Sequence, residues 1–510
     1  LLSGWNTARF AGPVPADRLT ALDSSFLHLE DAASHMHVAS VTIFEGPPPT
    51  YEEFLAHIDS RLSLVPRYRQ KLRFVPLNQG RPVWVDDPHF NLEYHVRATA
   101  LPPPGSEEQL KNLASRVFAQ QLDRTKPLWE IWLVQGLERG EDSPSDAARF
   151  AVLAKTHHAV IDGVAGVDIT AVLFDTAREP ETPPATDGRW HPRPEPTSAQ
   201  LLGEALIERA TQPAEIARSV RAALRAPRQI ARRGLDALSA IGSLARTGLA
   251  APSSPLNVDI GPHRRYDWVR TDLSELKEIK DRLGGTVNDV VLTVVTGALR
   301  RFLEQRGESV DELTMRAMVP VSVRREEEYG QAGNRVAAMM APLPIYEPDP
   351  VERLHLVREE LAHLKQGGQA VGAQVLTQLS GLAPPTVMAQ AARLQSRQRF
   401  FNLVVTNVPG PQIPLYVLGR KLIDLFPMAP LARRQALCIA VMSYNGKMNF
   451  GLLGDFDAMP DMRIFAESLT ESLDELRTAA GIRKRRTARR PAAARRSAAT
   501  TRSGRNGSSS

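Results

Sequence analysis

Two α/β (α+β) domains, joined by a helical connector and followed by a disordered basic tail, are predicted by three observations. The chain has 510 residues, more than one hydrophobic core ordinarily supports. Residues 17–178 and 266–481 each alternate strand-like segments of period two with helix-like segments of period near 3.6. Between these blocks lie a proline-dense stretch and a leucine- and arginine-rich one, neither of which reads as sheet.

In the first block, assigned to residues 1–180, Val38 to Phe44 alternates as a strand. Tyr51 to Leu62 and Glu107 to Gln121 carry helical periodicity, and Trp129 to Gly136 and Arg149 to Thr156 read as strands, the last half-buried. Prolines then crowd the chain from Arg178 to Pro196, opening a connector over residues 181–265. Within it, Leu201, Leu206, Ile216, Val220, Leu224, Ile230 and Leu235 recur among eight arginines and four acids between Ser198 and Leu249. That pattern fits either an amphipathic connector packed on the domains or helices lying on a membrane or lipid-droplet surface. In the second block, residues 266–481, Val287 to Glu304 reads as a helix and Thr314 to Val321 and Leu403 to Asn407 as strands. Ala436 to Tyr444 and Lys447 to Leu453 read as a hairpin closed by Asn445-Gly446. Residues 482–510 lack apolar periodicity and cannot bury enough surface to fold.

Hydrophobic residues make up 43% of the chain and charged residues 24%, an ordinary soluble balance. The net charge of +6 is misleading. Ten positive charges and no acid fall in residues 481–510, which leaves residues 1–480 at −4. A specific nucleic-acid partner is therefore not expected, and the tail is suited to anionic lipid or to nonspecific RNA contact. Cys438 stands alone, which excludes an intramolecular disulfide or a cysteine metal cluster. Apolar runs fall short of the roughly 18 residues a spanning helix needs, and the first residues lack a secretory pattern, so a soluble or peripheral protein is expected.

The chemistry concentrates at His157-His158-Ala159-Val160-Ile161-Asp162-Gly163. Composition alone produces its four fixed positions about once in a thousand such chains. The pair sits where a strand ends, a rigid mount with access from a loop. His158 is the candidate base, because a neutral imidazole can take the proton of a hydroxyl as that oxygen attacks a carbonyl. His157 either positions substrate or fills the wall. Asp162 either holds the imidazole through its ring N–H or braces the turn against an arginine, and Gly163 lets the backbone turn sharply. A zinc site is disfavoured, since adjacent residues at a strand end point to opposite faces. A serine nucleophile is disfavoured too, because Gly-x-Ser-x-Gly is missing from the sequence.

Further blocks surround the motif in order. They are Leu19 to Asp23 with Met36-His37-Val38, then Pro127-Leu128-Trp129, Ile260 to Arg265 and Val287-Asn288-Asp289-Val290. Gly333-Asn334-Arg335 with Pro342-Leu343-Pro344 follows, and Asn407-Val408-Pro409-Gly410-Pro411 comes last. With the histidine motif, this series resembles the bacterial wax ester synthase / diacylglycerol acyltransferase family over residues 17 to about 480. The resemblance implies two chloramphenicol-acetyltransferase-like domains facing across a substrate tunnel, with the motif at their interface. It implies direct attack of a hydroxyl on acyl-CoA, forming triacylglycerol, with wax ester synthesis as a second activity. Acyl-CoA is a substrate in that scheme, and no cofactor is implied. Long-chain acyl-CoA and diacylglycerol or a fatty alcohol are the implied partners. The implied location is cytoplasmic, at the inner face of the plasma membrane or on lipid droplets.

On this resemblance the catalytic histidine maps to His158, and Asp162 takes a structural role. Pro127 and Trp129 read as the start of a strand and its packing, or as substrate contacts. Asn288 and Asp289 read as a helix cap or as a contribution to the interface. Thr406 and Asn407 read as an oxyanion donor or as the strand end before a rigid turn. The late segment Gly451 to Asp457 departs from the Asp-Phe-Gly-Trp-Gly block of related plant acyltransferases. Peptide-synthetase condensation domains share the His-His motif, and a non-catalytic lipid-surface protein is the alternative of another class.

Overall fold

The computed structural model describes residues 17–139, 148–160, 173–179, 190–208, 251–322, 336–366 and 400–483. Asp162, Gly163, the Gly333-Asn334-Arg335 block, the connector from 209 to 250 and the basic tail lie outside the described residues.

The first part of the chain opens with β1 (Asp17–Arg18) and α1 (Ala21–Leu29), whose start is set by Thr20 accepting the N–H of Asp23. Strand β2 (His37–Glu45) and helix α2 (Tyr51–Asp59) follow, the helix opened by a reciprocal cap between Thr50 and Glu53. The α2 helix stops three residues before the predicted Leu62, where a short 3₁₀ turn over Leu62–Leu64 takes over. Next come β3 (Gln70–Arg73), β4 (Val83–Asp86), the single turn α3 (Leu92–His95), β5 (Val96–Ala100), α4 (Glu107–Ala119), β6 (Trp129–Leu137) and β7 (Arg149–His157).

The second part contains β8 (Arg264–Asp272), α5 (Leu273–Leu283), α6 (Val287–Gln305), β9 (Thr314–Ser322), β10 (Val336–Pro344) and α7 (Pro350–Gln366). It continues through β11 (Leu403–Val408), β12 (Tyr416–Val417), β13 (Arg420–Met428), β14 (Leu437–Tyr444), β15 (Lys447–Asp455) and α8 (Met462–Ala479). Asn445 and Gly446, at φ of 43° and 84°, close the predicted hairpin between β14 and β15.

Among the described residues two six-stranded sheets result, ordered β12-β13-β2-β7-β6-β5 and β10-β9-β11-β14-β15-β8, with β1, β4 and β3 forming a small third sheet. The domain assignment by sequence blocks does not follow the sheets. Strands β12 and β13 come from the second block yet extend the first sheet, β13 pairing antiparallel with β2 from Leu422↔Phe44 to Met428↔Ala39. Pro427, which has no N–H to donate, is tolerated there because only the two-residue β12 lies beyond β13.

Strand β7 is buried along its whole length, where the sequence predicted one buried face. It is central, between β2 and β6. Phe150, Val152 and Ala154 enter the core of the first half. Ala151 and Leu153, on the other face, pack with Tyr266, Trp268, Val404, Phe426 and Leu453 between the two sheets. Helix α4 is sandwiched at that junction. Ser115 Oγ accepts the N–H of Tyr266 at 2.9 Å, and Phe118 meets the Tyr266 ring edge-on. The buried Lys155 ammonium donates to the carbonyls of Val117 and Gln120, at 2.8 and 2.7 Å, closing the last turn of α4, and pairs with Glu130 at 2.6 Å.

The sheets come close together where Gly451 on β15 faces the carbonyl of Pro427 on β13. The Tyr266 hydroxyl donates toward the same carbonyl, at 2.9 Å. A Cβ at residue 451 would overlap that backbone oxygen, and overpacking of this kind costs about 1–3 kcal/mol. Gly451→Ala is therefore expected to lower the thermal unfolding midpoint. An unchanged midpoint would mean that the sheets separate there at no cost.

Candidate active site

The His157-His158 backbone is held from both neighbouring strands. The N–H of His157 donates to Leu128 O at 2.9 Å, just before β6, and the N–H of His158 donates to Met36 O at 2.8 Å, just before β2. Three sequence blocks far apart in the chain thus converge because β7 lies between β2 and β6. A turn follows at once, with the Val160 N–H returning to His157 O at 2.9 Å.

The two imidazoles then diverge. His157 is fully buried, its Nε2 2.6 Å from Glu30 Oε2 and its Nδ1 accepting the Ala159 N–H at 3.0 Å. His158 is half-buried and stacks on Phe26, with ring centroids 4.0 Å apart and planes inclined by 25°. Its Nδ1 is enclosed and has no hydrogen-bond partner among the described residues. Burial pushes the His158 imidazole down to about 4, so it is neutral, with a free lone pair, at neutral pH.

Glu30 is the centre of a buried polar cluster that the sequence did not reveal. Burial by itself would raise its pKa. Its hydrogen bond and electrostatic attraction to His157, the Arg124 charge and the Gln121 amide prevail and hold it at about 2. Gln121 donates to Oε1 at 2.6 Å and Arg124 to Oε2 at 3.0 Å, while His37 Nε2 lies 3.9 Å from Oε1. Burial, followed by the nearby Lys155 charge, drives the His37 imidazole well below its ordinary value. One available signal was the spacing of Phe26 and Glu30, four residues apart in and just after a helix that Thr20 visibly starts.

The remaining candidates fall into two groups. Pro127 and Trp129 lie beside the histidines, on the wall of a cavity of about 650 Å³ that also includes Arg97, Gln121 and Arg124. The Trp129 indole is committed to packing: it is buried between the rings of Tyr68 and His95 and donates its N–H to Tyr68 O at 2.8 Å. Asn288 and Asp289 open α6. Asp289 completes a reciprocal cap with Thr286, and Asn288 Oδ1 accepts from Asn407 Nδ2 at 3.3 Å. Thr406 and Asn407 lie near the end of strand β11, before Pro409-Gly410. The segment that follows is tied to the β14–β15 hairpin, the Gly410 N–H donating to Ser443 Oγ at 3.2 Å and the Asn445 N–H to Pro411 O at 3.0 Å.

Comparison with known proteins agrees with this arrangement. The profile of the wax ester synthase/diacylglycerol acyltransferase catalytic domain matches residues 19–291, and that of the WS/DGAT C-terminal domain matches residues 332–477. The chain belongs to this family. A Mycobacterium tuberculosis protein named as a probable diacylglycerol O-acyltransferase is 34% identical over 490 residues, covering 93% of this chain and 99% of its own. The wax ester synthase/diacylglycerol acyltransferase from Marinobacter aquaeolei VT8 superposes with a TM-score of 0.63 at 27% identity, over 91% of this chain and 100% of that one. The starter condensation domain of rhizomide synthetase shares the fold alone, at 13% identity and a TM-score of 0.55, over 91% of this chain and 94% of that one. The two-sheet acyltransferase fold expected from the family resemblance is therefore present.

The lowered His158 value has a kinetic consequence. An imidazole takes up a proton only while neutral, so if His158 serves as the base a depressed pKa extends activity toward acid, and the rate is expected to fall only as the pH drops through about 4. A pH–rate profile of acyl transfer checks this; half-loss near 6.5, the ordinary imidazole value, would contradict it.

Proposed function

We propose that this enzyme transfers the acyl group of long-chain acyl-CoA to the hydroxyl of diacylglycerol, forming triacylglycerol, with His158 as general base. Family membership over nearly the whole chain supports the reaction class. The observation that supports the residue is the neutral, Phe26-stacked His158 with its Nδ1 enclosed. Nε2 is then the atom left to receive a proton.

In this reading the acceptor hydroxyl gives its proton to Nε2 as its oxygen bonds to the thioester carbonyl carbon. The tetrahedral intermediate collapses, the carbon–sulfur bond breaks, and the imidazolium returns the proton to the CoA sulfur. No acyl-enzyme forms. His157, turned toward Glu30, keeps out of the proton path. The long apolar alcohols accepted by wax ester synthases offer the same single hydroxyl, so fatty alcohol is the second acceptor class. Acyl-CoA acts as a co-substrate, and the scheme calls on no cofactor.

Diacylglycerol resides in membranes and droplets, so turnover takes place at a lipid interface, with the basic tail and the arginine-rich connector as the proposed contacts. Among the described residues, no helix is long and apolar enough to cross a membrane. Peripheral attachment at the inner face of the plasma membrane or on droplets accords with that.

His158→Ala is expected to reduce CoA release from long-chain acyl-CoA in the presence of diacylglycerol by about 10²–10⁴-fold. Undiminished turnover would eliminate His158 as the base. Truncation after Gly481 is expected to preserve turnover while weakening binding to anionic vesicles in a cosedimentation assay. Equal vesicle binding by the truncated and full-length chains would remove the tail from the interface.

A further inference from the structure

Helix α1 presents Phe26 and Glu30 one turn apart, so both side chains leave the same face. One of them stacks on His158 and the other bonds to His157. The bond on the far side of His157 is equally informative. Its Nδ1 accepts the Ala159 N–H at 3.0 Å, and a ring nitrogen that accepts carries no proton, so the neutral ring keeps its proton on Nε2, facing Glu30. The Ala159 N–H belongs to the peptide that follows His158. The plane of that peptide sets the backbone torsion of His158 and is therefore tied to the orientation of the His157 ring.

We propose that Glu30 is a positioning residue for acyl transfer: it holds His157 in the Nε2–H tautomer, and His157, through the Ala159 amide, holds the turn that aims the His158 ring. The inference rests on the acyl-transfer reading for its kinetic test only. Glu30 is itself immobilised by Gln121 and Arg124 and by its place at the end of α1, where its N–H returns to Phe26 O at 3.1 Å. Without a carboxylate there, the buried Nε2–H of His157 loses its acceptor. The ring is then free to exchange tautomer or rotate, releasing the Ala159 N–H. Phe26 limits the drift of the His158 ring but does not fix its backbone. The arrangement resembles, in logic, an orienting carboxylate one step removed from the base.

The test uses the full-length chain with Glu30→Gln and Glu30→Asp. Three quantities are measured: kcat and KM for acyl-CoA on diacylglycerol-containing vesicles, the His157 tautomer by ¹⁵N NMR after histidine labelling, and the folded fraction by circular dichroism. The wild type is expected to show His157 as Nε2–H. In Glu30→Gln the side-chain amide can rotate and donate instead, so the Nδ1–H tautomer becomes populated and kcat falls about 100-fold with KM unchanged. Glu30→Asp keeps the charge but withdraws it by one methylene, so it is expected to retain the tautomer and lose about 10-fold in kcat. Wild-type kcat in either variant overturns the proposal. So does a loss of kcat in Glu30→Gln with the tautomer unaltered, or a loss that merely tracks the folded fraction. If Glu30→Gln does not fold, Glu30→Asp carries the same kinetic criterion. Should the wild-type protein fail to acylate diacylglycerol, the functional reading fails, while the tautomer comparison still decides the role of Glu30.

Discussion

The structure depends on one strand crossover from the second half into the first sheet. By pairing with β2, β13 places a segment of the second half in the first sheet and draws β8 and β15 onto its inner face. Trp268 stacks on Phe426 at 4.6 Å, and the Tyr266 hydroxyl donates toward carbonyls of β13. Because these contacts are largely apolar and shut off from water, the sheets cannot slide without exposing a shared core. The histidine pair ends the strand next to β2, so the same pairing that joins the halves also anchors the site.

Within that frame a buried carboxylate determines how the histidines are used. Desolvating Glu30 is costly, and the cost is offset only because His157, Arg124 and Gln121 converge on its two oxygens. Leaving a buried group without such a partner typically costs about 1–3 kcal/mol, more when it is charged, which makes the arrangement hard to loosen by small motions. The two histidines, adjacent in sequence, thus take different chemical states. One is locked by hydrogen bonds on both ring nitrogens, and the other is left neutral in an apolar stack with a nitrogen to spare.

Much of the local structure was legible in the chain. The alternation from Trp129 and from Arg149, the helix from Val287 and the Asn445-Gly446 hairpin appear within a residue or two of their predicted bounds. Short-range physics governs those features: side-chain periodicity, capping and a turn that requires positive φ. Strands such as β13, interrupted by Asp424 and Pro427, and β5, only five residues long, carry no comparable signal. Their pairing partners supply the stabilisation that their own sequence lacks. The burial of β7 on both faces was likewise hidden, because an apolar run reads the same whether one side or two sides are covered.

The sequence by itself determined the family and named His158 as the candidate base: His157, His158 and their flanking blocks are rare enough in combination to single out an acyltransferase of this class. Only the tertiary structure decided how the pair is divided. Glu30 lies 127 residues from His157, and no periodicity links positions so far apart. Their contact exists because α1 and the end of β7 are brought together by strands that pair out of chain order. Side-chain chemistry is written residue by residue, but the field and hydrogen bonds that select one tautomer or one pKa depend on distances that only folding sets.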